Sequence, residues 1–153
     1  MLALSAMMTA LGAIRVIEVT NIMSSSWKLF HSSADFNTFA AGQVIFKQGE
    51  VGDVMYIVQE GEVDILLHDK VIETVEMGGI LGELALIDNR PRAASAVART
   101  DCKVLPIDEK RFAYMVQETP HFAIHVMEVM AERLRYMDSM ASQQFTPFDY
   151  LNG

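Results

Sequence analysis

The sequence predicts a mainly β domain with helices: a β jelly-roll barrel, followed by a short helix and a long C-terminal helix. Two observations carry this. From about Phe36 to Ile107 the chain consists of short runs rich in Val, Ile, Phe and Tyr, separated by glycine-containing turns. After Ile107 apolar residues recur at three- and four-residue steps, the spacing of a helix face. Many short strands with regular turns form a barrel or a double-sheet jelly roll.

The first strand segments are "GQVIFKQG" and "GDVMYIVQEGEVDILL". In the second, Val63 and Ile65 alternate with Glu62 and Asp64, the period of a half-buried strand. Gly42, Gly49 and Gly61 fall at turn positions. "HDKVIETVEM" offers a hairpin partner, and "ASAVART" with "CKVLPI" offers two further strands. Asp108 can cap the short helix "EKRFAYMVQ", and Pro120 marks the entry to the longer one. There Phe122, Val126, Val129, Met130, Leu134 and Met137 are expected to form one apolar stripe. Glu128, Glu132, Arg133, Arg135 and Asp138 make up much of the rest. At ~1.5 Å per residue the helix would be about 30 Å long, and its stripe must cover the barrel, a second copy of itself, or both.

A length of 153 residues suits one domain with a real core. With 12 Lys plus Arg against 20 Asp plus Glu, the formal charge is -8, and no basic run is present. That balance argues against direct binding of nucleic acid or an anionic membrane. The single cysteine, Cys102, fits a reducing, cytoplasmic setting and is expected to be a buried thiol. The opening run "MLALSAMMTALGAI" is short for a membrane span, and its first basic residue, Arg15, comes after it rather than before, unlike a signal peptide. Met23 offers an alternative start. The expected organisation is a leader at 1–25, a main domain at 26–141 and a tail at 142–153 holding three aromatics. Within the domain the barrel spans about 36–107 and the helices about 108–141.

The chemistry concentrates in "GGILGELALIDNRPRAAS", residues 78 to 95. Gly78, Gly79 and Gly82 let the backbone bend and approach a ligand closely. "ELAL" can form a helical turn starting at Glu83, whose free N–H groups suit a phosphate. Arg92 adds a planar fork able to bind two phosphate oxygens, and Ala93 and Ala94 leave backbone donors unobstructed. An ionised Glu83 only accepts hydrogen bonds, so its partner is a hydroxyl or a cation. One anion site beside one hydroxyl acceptor describes a phosphorylated sugar. Taken alone, Glu83 and Arg92 could instead be a buried ion pair.

This stretch resembles the phosphate-binding cassette of the cyclic-nucleotide-binding domain family. Gly82, Glu83, Leu84, Ala85, Leu86, Pro91, Arg92, Ala93, Ala94 and Ser95 match the cassette, including its spacing of nine between Glu and Arg. Upstream, Gly42, Ile45, Gly49, Asp53, Tyr56, Val58, Gly61 and Val63 match the family's glycine-marked strands. Together they cover about 35 to 141.

The resemblance implies that Glu83 accepts the ribose 2′-hydroxyl and that Arg92 binds the cyclic phosphate, with backbone amides of Ala85 and Ala93. It implies that Gly82, Leu84 and Ala94 complete the cassette and that Ile65 lines the base pocket. A hydroxyl residue after the arginine favours cGMP in the family; Ala93 stands there, so cAMP is the expected ligand and cGMP the less favoured one. Leu81 replaces a frequent Phe, and Met137 and Asp138 align where a bacterial activator of this family has hydroxyl residues. Arg133, Tyr136 or Met137 is therefore the expected lid over the base.

The expected function is a non-enzymatic cAMP sensor that repositions its C-terminal helices. Its expected partners are the nucleotide, an unidentified effector protein and a second copy through the helix at 120–141. Alternatives are a fold that has lost its ligand and serves protein interaction, or a regulator separated from a DNA-binding domain. No metal is expected: His121 and His125, four residues apart, are read as solvated. No cofactor and no catalytic residues are expected either, because no dense His/Asp cluster is present.

Overall fold

The computed structural model describes residues 35–144. Its strands are β1 (Asn37–Phe39), β2 (Val44–Phe46), β3 (Met55–Glu60), β4 (Val63–Leu67), β5 (Lys70–Val75), β6 (Ile80–Leu81), β7 (Ser95–Ala98) and β8 (Cys102–Ile107). They form two four-stranded sheets, β1-β8-β3-β6 and β2-β7-β4-β5, with every neighbouring pair antiparallel. This is the double-sheet arrangement expected from the strand pattern. β1 and β6 had no clear signal, because three and two residues are too few to show a period. Pairing defines them instead: Phe39 lies opposite Cys102, and Leu81 opposite Tyr56.

The core has two parts that share β3 and β8. Tyr56 and Val58 face one cluster, with Phe46, Val63, Leu81 and Val104, while Met55 and Ile57 face the other. Alternate residues of a strand point to opposite faces, so a strand buried on both sides reads as a continuous apolar run. Cys102 is buried in the first cluster, and burial pushes its thiol above the usual range, as expected of an inert core thiol.

The helices are α1 (Glu83–Asp88), α2 (Glu109–Glu118) and α3 (His121–Gln144). Asp108 caps α2, its carboxylate accepting from the Arg111 N–H at 2.8 Å. Phe122 and Val126 of α3 join the second cluster, packed with Met55, Ile57, Leu105 and Ile107.

The apolar stripe of α3 differs from the one read off the sequence. Phe122, Val126 and Val129 do turn toward the barrel, but the next residue on that line is Arg133. Leu134 is 66% exposed and Met137 44%. At ~3.6 residues per turn, steps of four, three and four lead from 122 to 133, and Leu134 is rotated about 100° away. His125 is half-buried rather than solvated. Among the described residues no helix is long and apolar enough to cross a membrane. The leader at 1–25 and the tail from 145 onward lie outside the described residues.

Candidate functional site

The site begins where β6 ends. Gly82 takes φ 75°, a left-handed turn that starts α1 and sends the Glu83 side chain inward, leaving that residue 2% exposed. After α1 the chain reverses at Asn89, also left-handed at φ 55°, and brings Arg92 back beside Gly82. Two backbone bonds of 2.8 Å join this return to the β2–β3 loop: Arg92 N–H to Glu50 O and Gly49 N–H to Arg92 O.

Arg92 is 6% exposed. Its Nη1 donates to Gly82 O at 3.0 Å and its Nη2 to Val54 O at 2.7 Å, while Cζ lies 4.2 Å from the centroid of the Phe46 ring. Among the described residues no ion pair involves Arg92. Burial lowers its pKa from the ordinary value, with only partial compensation from Tyr56, Asp53, Glu50 and Glu83. It stays charged, because a guanidinium is not deprotonated in a protein. Fixed by neutral carbonyls and an aromatic face, it is a buried cation without a counter-ion, and such a group favours an incoming anion.

Glu83 and Arg92 are therefore not an ion pair. The Glu83 Oε1 accepts instead from Nη1 of Arg133 on α3, at 2.5 Å. Arg133 also donates from Nε to Glu73 Oε2 at 2.9 Å, and from Nη2 to Glu73 Oε1 at 3.2 Å and Ile80 O at 2.8 Å. Burial by itself would lower the Arg133 pKa, but Glu83 and Glu73 outweigh it and hold the guanidinium above its ordinary value.

One cavity of about 370 Å³ gathers the predicted residues, a volume suited to a small ligand. Gly82, Glu83, Leu84 and Ala85 line it together with Arg92, Ala93 and Ala94. Ile65 lines it from β4, and Arg133, Tyr136 and Met137 line it from α3. The walls are mostly apolar, interrupted by the unpaired Arg92 guanidinium and by the Glu83 carboxylate.

With this geometry in place, comparison with known proteins decides the family. The model of the cyclic nucleotide-binding domain matches residues 36–119, more than half of the chain. The chain belongs to the cyclic-nucleotide-binding domain family. A cAMP-dependent protein kinase regulatory subunit from Eremothecium gossypii is 43% identical over 89 residues, 58% of this chain and 19% of that protein. The chain thus matches about a fifth of that relative's length. A structure of PKAR CBD2 with Sp-2Cl-cAMPS bound is 28% identical with a TM-score of 0.60, covering 69% of this chain and 70% of the other. The catabolite activator protein of Thermus thermophilus is 27% identical with a TM-score of 0.64, covering 71% and 54% respectively. The family is one of binding domains, not of catalysts. Among the described residues no group of three His, Cys, Asp or Glu residues is placed to hold a metal ion.

Three residues of this cyclic-nucleotide-binding domain were missed in the sequence. Gly52 packs against the Arg92 guanidinium: a Cβ there would lie 2.5 Å from Nε and 2.6 Å from Nη2. The guanidinium is held at Val54 and Gly82, so a side chain at 52 would push it from this position. Gly52 was legible as part of "GEVGD", beside the Gly49 and Asp53 of the family pattern. Phe46, the platform under Arg92, had only the signal of a strand aromatic. Glu73 had none, since its place comes from β4–β5 pairing, which sets it opposite Ile65.

Proposed function

We propose that the cavity binds a cyclic nucleotide, cAMP in preference to cGMP, and that the chain acts as a non-enzymatic sensor through movement of α3. The observation that carries this is Arg92, buried beside the cavity without an ion pair among the described residues. A cyclic phosphodiester offers one charge on two exocyclic oxygens, which a planar guanidinium can meet. Backbone amides at Ala85 and Ala93 complete the phosphate site, within a cassette that includes Gly82, Leu84 and Ala94. The ribose 2′-hydroxyl donates to Glu83, and the base lies over Ile65, covered by Arg133, Tyr136 or Met137. Ala93 has no hydroxyl with which to meet guanine. The relatives support the ligand class: one is a cAMP-dependent protein kinase regulatory subunit, and another is a structure with Sp-2Cl-cAMPS bound.

The sensing step follows from Arg133. The ligand hydroxyl and α3 share the Glu83 carboxylate, so nucleotide binding and helix position are not independent. A ligand shifts such an equilibrium only by binding one arrangement more tightly than the other. Calorimetric titration with cAMP, cGMP and 5′-AMP tests the reading. The expected result is tightest binding of cAMP; negligible heat with all three would overturn it.

The output is a protein partner, with the domain working as a regulatory module in the cytoplasm. A second copy is one such partner. Ile124, Met127 and Leu134 are 47%, 58% and 66% exposed and lie three and seven residues apart on α3, on one side of the helix. Light scattering is expected to give a dimer, weakened by Leu134→Glu. A monomer at all concentrations would discard the dimer and leave the ligand reading untouched.

A further inference from the structure

Arg133 is divided between two carboxylates, and the division has a chemical consequence at Glu83. Glu73 takes Nε and Nη2, leaving Nη1 for Glu83 Oε1. The contact with Glu83 is end-on, through one nitrogen and one oxygen. Among the described residues Glu83 Oε2 accepts no hydrogen bond, although the Glu83 side chain is only 3% exposed and lines the cavity. An arginine facing a single carboxylate favours a two-point fork, which would occupy both oxygens. Here that fork is turned toward Glu73 instead. Glu73 is well placed to hold it, on β5 directly opposite Ile65, with its own side chain 39% exposed at the cavity.

We propose that Glu73 is a positioning residue of the ligand site: it draws the fork of Arg133 to itself and so keeps Glu83 Oε2 open for a ligand hydroxyl. This rests on the reading that Glu83 accepts the ribose 2′-hydroxyl of a cyclic nucleotide. A carboxylate only accepts and the hydroxyl has one hydrogen to donate, so an oxygen free of competing donors gives that contact its full strength. Without the charge at 73, the guanidinium turns onto Glu83, engages both oxygens, and competes with the hydroxyl for the acceptor it would otherwise have to itself. A nucleotide lacking the 2′-hydroxyl does not use that oxygen and is scarcely affected. Glu73 therefore controls discrimination between ribose and deoxyribose rather than affinity in general.

The test is titration of the full chain with cAMP and with 2′-deoxy-cAMP, for the wild type, Glu73→Gln, Glu73→Ala and Glu73→Asp. The wild type is expected to prefer cAMP by roughly 10- to 100-fold, the range for a hydrogen bond to a charged group. Gln and Ala should each reduce this preference to about twofold by weakening cAMP alone, whereas Asp, which keeps the charge, should retain most of it. Thermal midpoints recorded beside the titrations identify any variant that does not fold, and either Gln or Ala suffices. Equal weakening of both nucleotides, or an unchanged preference, overturns the assignment. A wild type that binds both nucleotides equally removes the hydroxyl contact at Glu83 and this proposal with it. A wild type that binds neither overturns the cyclic-nucleotide reading itself.

Discussion

Arg92→Ala is expected to weaken cAMP binding by at least about 30-fold, or ~2 kcal/mol, because a hydrogen-bonded charge is removed from the proposed phosphate site. The effect is large because nothing else in the described cavity can replace that charge. Arg133 is the nearest alternative among the lining residues, and its nitrogens are engaged with Glu73, Glu83 and Ile80 O. Arg92→Lys should recover little of the loss. An ammonium is a point charge without the planar fork that reaches Gly82 O and Val54 O together. Calorimetry gives the affinities, and circular dichroism establishes that the barrel remains folded. Retention of cAMP affinity within threefold in a folded Arg92→Ala variant would remove the phosphate from this residue.

Arg133→Ala is expected to produce the largest loss of stability, roughly 2–3 kcal/mol. Breaking a buried ion pair by removing one partner costs about 3–5 kcal/mol, because the remaining charge is left uncompensated. The lower figure applies because the Arg133 side chain is 24% exposed and water can partly reach the gap. Glu83, with its side chain 3% exposed, would lose its charged partner, and Ile80 O would lose its donor. The double variant Glu83→Gln with Arg133→Leu should recover part of the loss, since neither charge then remains inside. Urea denaturation midpoints at fixed m value measure both effects. A midpoint of Arg133→Ala equal to wild type would mean that the clasp contributes nothing to the folded state.

Both predictions depend on pairings across the fold, and these were the least legible part of the chain. The strands around Val63 and Ile65, the turn at Gly61 and the cap at Asp108 could be read locally. Each reflects a preference acting over a few residues: alternation, a left-handed glycine, an N-cap carboxylate. The cassette was legible for a similar reason, since its glycines, acid, arginine and alanines lie within eighteen residues. Arg133 was expected as a lid over the base, but its carboxylate partners were not legible, because it sits among Glu132, Arg135 and Asp138, where composition indicates a solvated helix face. Its position on the line of Phe122, Val126 and Val129 carried the opposite message. In a charged neighbourhood, composition hides a half-buried cation that the helical spacing marks.

Local spacing thus indicated that Glu83 and Arg92 lie near one another, and both line the same cavity. It did not establish what each of them binds within the protein. Arg92 is held by carbonyls of Gly82 and Val54 and by the Phe46 ring, contributed by three separate stretches of chain. Glu83 is met by an arginine fifty residues later, which is itself held by Glu73 on another strand. Charges pair according to distance through space and the water excluded around them. Those quantities come into being only when α3 packs on the barrel, so tertiary structure alone decided which arginine the acid keeps and which stands at the cavity without a carboxylate.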